Sequence, residues 1–474
     1  PGAVSIDALP RKGIVVSEAG LQAARQKMMD AGVATPAIEV FTRFYHLLES
    51  GETGVIREDT IEPLLDPPML TDVDITDAQA RDAIGKTVII KLNGGLGTSM
   101  GLDKAKTLLP VRDGMNFLDL IVKQVLAARE RYDARLPLLL MNSFRTEDDT
   151  LAHLDRYPEL VVDDLPLSFV QNQEPKLRAD DLTPVEWEAD PSLEWCPPGH
   201  GDLYPALEGS GVLDALLEAG FRYACVSNGD NLGAAPNATI AGWFAQSGAP
   251  YAAELCRRTI NDKKGGHLAV RKKDGQLILR DTAQTAPEEM DFFTDEHRHP
   301  FFHTNNLWFD LQVLKDTLVE RNSVLGLPLI RNEKTVDPTD SSSTPVVQVE
   351  SAMGAAIEVF EGATAICVGR DRFLPVKTTN ELLLLRSDVY NLTGEGKLIA
   401  CSDSAPEISL DSRYYKTVQK FAQRIPYAPS LRKATSFKVE GDYTFGARVV
   451  VKGDVTLPDE DEPQVVEDGT KLEG

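Results

Sequence analysis

Thr87-Val88-Ile89-Ile90-Lys91-Leu92-Asn93-Gly94-Gly95-Leu96-Gly97-Thr98-Ser99-Met100-Gly101 begins as a strand-forming run and then breaks into four glycines within eight positions. β-Branched apolar residues suit a pleated strand, and a run without polar alternation suits one covered on both faces. Glycines let backbone N–H groups approach a phosphate or a flat base, and successive amides form an anion-binding nest. A tight turn alone would also use glycines. The string lacks the dinucleotide fingerprint, because position 100 is Met and the third glycine of that pattern falls at 101. It lacks the P-loop ending Gly-Lys-Ser/Thr as well.

Around this loop, apolar runs alternate with helical spacing. Residues 117–131 predict an amphipathic helix, Leu138–Met141 and Leu167–Val170 strands, 212–219 a helix, and Tyr223–Val226 a strand. Such alternation means crossover units and a mostly parallel, buried sheet. Residues 267–280 read as a hairpin turning at Asp274-Gly275, which implies a mixed sheet or an inserted lobe. Upstream, Leu21, Ala24, Met28, Phe41, Phe44, Tyr45 and Leu48 carry helical spacing up to Ser50-Gly51. Pro63, Pro67 and Pro68 then suggest a linker. Downstream, short β-type runs over 436–457 are separated by Gly441, Gly446 and Gly453, as in a β-solenoid fragment or a small meander. The acidic tail from Asp459 reads as disordered. The expected organisation is a helical N-terminal segment (1–80), a central α/β domain (81–390) and a small β-rich C-terminal domain (391–474).

At 474 residues the chain is too long for one compact core, and its 42% hydrophobic content is that of a folded protein. Forty-nine Lys and Arg against 73 Asp and Glu give a formal charge of −24. That balance argues against nucleic acid and anionic membranes as partners. Cys196, Cys225, Cys256, Cys367 and Cys401 are scattered and form no C-x-x-C pair, so reduced thiols are expected. No apolar run approaches the ~20 residues of a membrane span, and no basic-then-apolar leader follows Pro1. The expected location is the cytoplasm.

A few residues stand out chemically. Lys104 and Lys106 follow the glycine loop, where an ammonium could neutralise phosphate, although either would be ordinary on a surface. Asp230 ends an apolar strand, where ligands of parallel sheets gather; it could bind a metal or cap a helix. Gln171 offers the donor and acceptor that the edge of a base needs. His297, His299 and His303 lie close together, but Pro300 interrupts them and no fourth ligand is evident, so a surface loop is expected. Arg257-Arg258 and Lys263-Lys264 read as a solvated loop.

Several strings carry a resemblance. Lys91 to Gly101, Leu140-Met141-Asn142-Ser143-Phe144, Phe169-Val170-Gln171-Asn172, Trp195-Cys196-Pro197-Pro198-Gly199-His200-Gly201-Asp202 and Ser227-Asn228-Gly229-Asp230-Asn231-Leu232-Gly233-Ala234 occur in that order. Thr304-Asn305-Asn306-Leu307-Trp308, Ser351-Ala352-Met353-Gly354-Ala355-Ala356 and Arg372-Phe373-Leu374-Pro375-Val376-Lys377-Thr378-Thr379 follow. Over roughly residues 85–390 the chain resembles the eukaryotic-type UTP–glucose-1-phosphate uridylyltransferases. The resemblance implies a Rossmann-like nucleotidyltransferase core, UTP and glucose 1-phosphate as substrates, and Mg²⁺ held by Asp230. It makes Lys106 and Lys377 the catalytic cations. Leu92, Asn93, Gly94, Gly95, Lys106, Met141, Gln171, Gly199 and Asn228 would surround the nucleotide. His200, Asn228, Gly229, Asn305, Asn306 and Glu350 would hold the sugar. The chain departs from the family in reading Lys104-Ala105-Lys106 where Gly-Pro-Lys is usual. Its C-terminal region is also short for the family's β-helix, which leaves a homo-oligomer open. Another sugar 1-phosphate, such as galactose 1-phosphate or N-acetylglucosamine 1-phosphate, or a non-catalytic sensor of UDP-sugars, would use much of the same site.

Overall fold

The computed structural model describes residues 13–474, with side chains from Glu18 onward. The residues after Pro1 read for an export leader lie outside that range. A ten-stranded mixed sheet forms the centre. Thr87–Asn93 lies at its heart, parallel to Tyr223–Asn228 on one side and to Leu138–Asn142 on the other; Ser168–Val170 continues the parallel half. Its Val88, Ile89 and Ile90 are at most 2% exposed, as the unbroken apolar run requires. The expected helix spans Phe117–Tyr132. It starts at Asn116, whose side chain accepts the Asp119 N–H while Asp119 accepts the Asn116 N–H.

The other half of the sheet is largely antiparallel. Phe301–Asp310 pairs with Tyr223–Asn228 and with Tyr251–Arg257, and the latter runs parallel to Thr364–Cys367. The hairpin exists as His267–Arg271 with Leu277–Arg280, Gly275 having the left-handed φ of 72° at its turn. It belongs to the main sheet. The proline-rich stretch is not a free linker. Ile61–Pro63 is an edge strand on the hairpin, a position that tolerates proline. The carbonyl of Pro68 accepts the Cys367 N–H at 2.8 Å. The helices Gly13–Asp30 and Thr35–Glu49 precede it, and Phe41, Phe44 and Tyr45 pack into the same apolar cluster as Tyr204 and Leu207.

The C-terminal region resolves the choice between solenoid and meander. Glu407–Leu410, Ser430–Val439, Val450–Leu457 and Lys471–Glu473 stack in parallel, and Tyr443–Phe445 pairs in parallel with Gln464–Val466. Parallel rungs make a solenoid. The acidic tail is therefore ordered, contrary to expectation: its short strands add rungs and Val466 faces the core. Phe437, Val439, Phe445 and Val455 share one apolar cluster with Val376, Leu382 and the 117–132 helix.

The histidine segment also differs from a surface loop. His297 is exposed, but His299 is fully buried and His303 is 7% exposed. His303 lies in the central strand Phe301–Asp310; His299 is held by Glu58, 6% exposed, which accepts from Arg280, Arg298 and His299. The His267 ring stacks on His299 with centroids 3.8 Å apart. Burial holds both imidazoles below the usual histidine range, hence neutral. Arg258, expected in a solvated loop, is likewise buried, donating to the carbonyls of Phe293 and Gly265, whereas Lys263 and Lys264 are exposed. Among the described residues no group of His, Cys, Asp and Glu is placed to hold a metal by itself. Nor, among the described residues, is any helix long and apolar enough to cross a membrane. Replacing Glu58 with Gln leaves the Arg280 guanidinium, 0% exposed, without its main counter-charge. Breaking a buried pair from one side costs about 3–5 kcal/mol, so the urea midpoint of E58Q is expected to fall clearly. An unchanged midpoint would refute this account of the cluster.

Candidate functional site

The glycine loop leaves the strand Thr87–Asn93 at the carboxyl edge of the parallel half, where parallel sheets collect ligands. Asn93 is locked inward. Its Nδ2 donates to Asn142 Oδ1 at 2.7 Å and Thr150 Oγ1 at 2.9 Å, and its Oδ1 accepts from Thr107 Oγ1 at 2.5 Å. Asn93 thus fixes the start of the loop and lines the cleft without a free amide. The chain then folds back on itself. The Gly97 N–H donates to the Lys104 carbonyl at 3.1 Å and the Lys106 N–H to the Gly95 carbonyl at 3.2 Å. This return carries Lys106 over the loop and leaves Lys104 exposed, which separates the two lysines that the sequence left together. The carbonyl of Gly101, at the far end of the loop, accepts from Gln419 Nε2 at 3.0 Å.

Leu92, Asn93, Gly94, Gly95, Lys106, Met141, Gln171, Gly199, His200, Asn228, Gly229 and Asp230 line one cleft of about 330 Å³. A neighbouring hollow of about 360 Å³ shares Gly94, Gln171 and Pro197 and adds Phe144 and Trp195. Gln171 lies against the loop: a Cβ on Gly94 would stand 2.8 Å from its Oε1. Beside it, Asp202 accepts the Asn172 N–H at 2.6 Å and the Asn172 amide at 3.0 Å, and burial raises this carboxyl to about 7. Gly199 has a left-handed φ of 77° and runs against the backbone of Ser351, and the Gly201 N–H donates to the Ser351 carbonyl at 2.9 Å. Glu350, the last residue of the strand Pro345–Glu350, flanks Gly199.

The His200 ring is set by a backbone contact. Its Nδ1 accepts the Met353 N–H at 2.9 Å, and burial pulls its pKa down to about 4. A neutral ring whose Nδ1 accepts must carry its proton on Nε2, so His200 can offer a neutral donor. Lys106 and Asp230 meet directly. Lys106 Nζ lies 2.6 Å from Asp230 Oδ2 and also donates to the Val376 carbonyl. The 230 strand end and the 370s segment thereby converge on one ammonium. Lys377 follows Val376, is exposed, and does not line the cleft.

Three further candidates lie outside the cleft lining. Asn305 has a left-handed φ of 63°, and its N–H donates to His303 Nδ1 at 2.8 Å. Asn306 is fully buried: its Nδ2 reaches the Arg372 carbonyl at 3.2 Å and Glu254 Oε1 at 3.3 Å. Its side chain belongs to an internal network that leaves no amide free for a sugar hydroxyl. Glu350 touches the rim through Gly199 only. Sequence reasoning passed over Glu254, Arg372 and Asn231. One signal was present, since Glu254 is a lone carboxylate inside the apolar strand Tyr251–Arg257 and must find a buried cation.

Asp230 suits a hard cation chemically. It is a single carboxylate, 13% exposed, opening on a cleft of amides and one lysine. Mg²⁺ commonly takes one or two carboxylates and completes its shell with substrate phosphates and water.

Known proteins bear on this arrangement. A profile of the UTP–glucose-1-phosphate uridylyltransferase family matches residues 38–452. The chain is 39% identical to the UTP–glucose-1-phosphate uridylyltransferase of Solanum tuberosum over 424 residues, covering 88% of this chain and 83% of that protein. It is 38% identical to the one from Saccharomyces cerevisiae, with coverages of 91% and 85%. A solved Leishmania major UDP-glucose pyrophosphorylase variant in complex with UDP-glucose superposes with a TM-score of 0.89. It shows 43% identity and covers 96% of this chain and 98% of that one. The C-terminal region is thus not short beside that structure. This chain belongs to the UTP–glucose-1-phosphate uridylyltransferase family.

Proposed function

We propose that the chain transfers the uridylyl group of UTP to glucose 1-phosphate, forming UDP-glucose and releasing pyrophosphate. A phosphate oxygen of the sugar phosphate attacks the α-phosphorus in line, and the bond to the β-phosphate oxygen breaks. No protein nucleophile is needed. The work lies in holding two anions together and neutralising charge on the equatorial oxygens. The observation that carries this reading is the convergence of the glycine-loop amides, Lys106 and Asp230 on one cleft.

In this reading Gln171, laid over Gly94, reads the uracil edge. The backbone from Leu92 to Gly95, with Met141, walls the nucleoside. Asn228, Gly229 and the Nε2–H of His200 face the sugar phosphate, with Glu350 beside them. Neutral donors suit hydroxyls, and a ring held neutral adds no competing charge. Lys106 exchanges its hold on Asp230 for phosphate oxygens, and Lys377, one residue beyond the Val376 carbonyl, supplies a second ammonium. Asp230 would hold Mg²⁺, which when bound shields the phosphate oxygens and stabilises charge as the α-phosphorus changes partners. An acidic chain with mostly buried, unpaired thiols suits the cytoplasm.

Purified protein given UTP, glucose 1-phosphate and Mg²⁺ is expected to release pyrophosphate and form UDP-glucose. The same assay with galactose 1-phosphate and N-acetylglucosamine 1-phosphate decides the sugar. No turnover with any sugar 1-phosphate, alongside calorimetric binding of UDP-glucose, would replace this reading with that of a sensor.

A further inference from the structure

Asn231 follows Asp230, is 2% exposed and lines no part of the cleft. Its carboxamide is fully used. Nδ2 donates to the Arg372 carbonyl at 3.1 Å and to Asn306 Oδ1 at 3.2 Å. Oδ1 accepts the Leu374 N–H at 2.8 Å and the Gly233 N–H at 3.1 Å. Two donors and two acceptor positions exhaust what an amide offers. Two of the four bonds land on the segment that ends in Val376 and Lys377.

Below it, the Arg372 guanidinium bonds Glu254 at 2.6 and 3.0 Å and the Ala235 carbonyl at 2.8 Å. Every hydrogen bond between residues 230–236 and 370–377 therefore uses the side chain of Asn231 or of Arg372. The close approach is seen independently at Gly233. A Cβ there would stand 2.6 Å from the Asp371 carbonyl oxygen and 2.7 Å from the Arg372 carbonyl carbon. The turn that carries Asp230 and the segment that carries Lys377 are pressed backbone to backbone, pinned nearest the cleft by the Asn231 amide, with the Arg372 guanidinium on Ala235 and the Lys106 ammonium between Asp230 and Val376 as further links.

We propose that Asn231 is a positioning residue that sets the spacing between the Asp230 carboxylate and the Lys377 ammonium, and through it the transition-state charge pattern. This rests on the proposed uridylyltransferase reading, in which both groups act on the phosphates. An interaction needed mainly in the transition state shows in kcat rather than KM, and a misplacement near 1 Å can cost about 100-fold.

The test is a double-mutant cycle of N231A, K377A and N231A/K377A, with kcat and KM measured for UTP and glucose 1-phosphate. N231A is expected to lower kcat by about 10- to 100-fold with KM for UTP changed less than about threefold. K377A is expected to lose more. The double variant should match K377A within about twofold, because spacing is irrelevant once the spaced group is gone. Multiplying effects would overturn the inference, since a general loosening of the fold adds to any active-site lesion. K377A with wild-type kcat would instead remove Lys377 from the chemistry, a separate failure of the functional reading. G233A, which leaves the amide in place and inserts a methyl at the contact, should reproduce the pattern, and N231S should recover part of kcat. Folded fraction is followed by near-ultraviolet dichroism. Activity that falls only in proportion to it, in N231A and G233A alike, also overturns the proposal.

Discussion

Asp230→Asn is expected to lower kcat by about 100- to 1000-fold and to move the Mg²⁺ activation curve at least about tenfold to higher concentration. The substitution keeps the shape of the side chain and one oxygen for Lys106 to reach at the present 2.6 Å. It removes the negative charge that a divalent cation requires. Asp230 is the one carboxylate among the residues that line the cleft, so no other lining residue supplies that charge. Lys106 retains its bond to the Val376 carbonyl, so its placement survives. The loss would therefore report metal binding rather than collapse of the cleft. An activation curve superimposable on wild type would remove Asp230 from the metal site.

Lys106→Met is expected to be as severe, about 100- to 1000-fold in kcat, the range measured when one preorganised donor to a developing oxyanion is removed. Methionine fills a similar volume without charge, so the fold of the loop should persist. KM for UTP should rise too, because an ammonium that contacts phosphate helps both the ground and the transition state. Lys104→Met is the internal control. Lys104 is exposed and turned out by the Gly97 N–H bond to its carbonyl, and its loss should leave kcat within about twofold. Equal damage from both variants would mean that the folded-back loop does not select between the two lysines.

The parallel half of the sheet was legible because its strands are unbroken apolar runs and its turns are glycines. Both signals are local. The cleft residues gathered by the resemblance, from Leu92 to Asp230, do meet. What escaped was decided by partners far along the chain. His299 reads as a loop histidine until Glu58, 241 residues away, accepts its proton-bearing nitrogen. Asn306 reads as a sugar ligand, yet Glu254 on a strand and Arg372 on a helical turn claim its amide, and no local pattern connects either to it. The acidic tail reads as disordered because its charge is visible in sequence, whereas the parallel rungs that order it are not. The preference for Lys106 over Lys104 came from the resemblance alone; the two backbone hydrogen bonds across the loop, which put Lys106 on the cleft and Lys104 outside it, are not visible in sequence.

The ammonium that leans on Asp230 has one more implication. In the proposed reaction an arriving triphosphate would meet Lys106 not as a bare positive charge but as one that trades partners. When either sugar nucleotide or pyrophosphate departs, the ammonium has a resting acceptor 2.6 Å away to return to. In the proposed reaction neither product would leave the Lys106 ammonium unsatisfied, so this half of the charge-neutralising pair can let go of its cargo whichever way the reaction is driven.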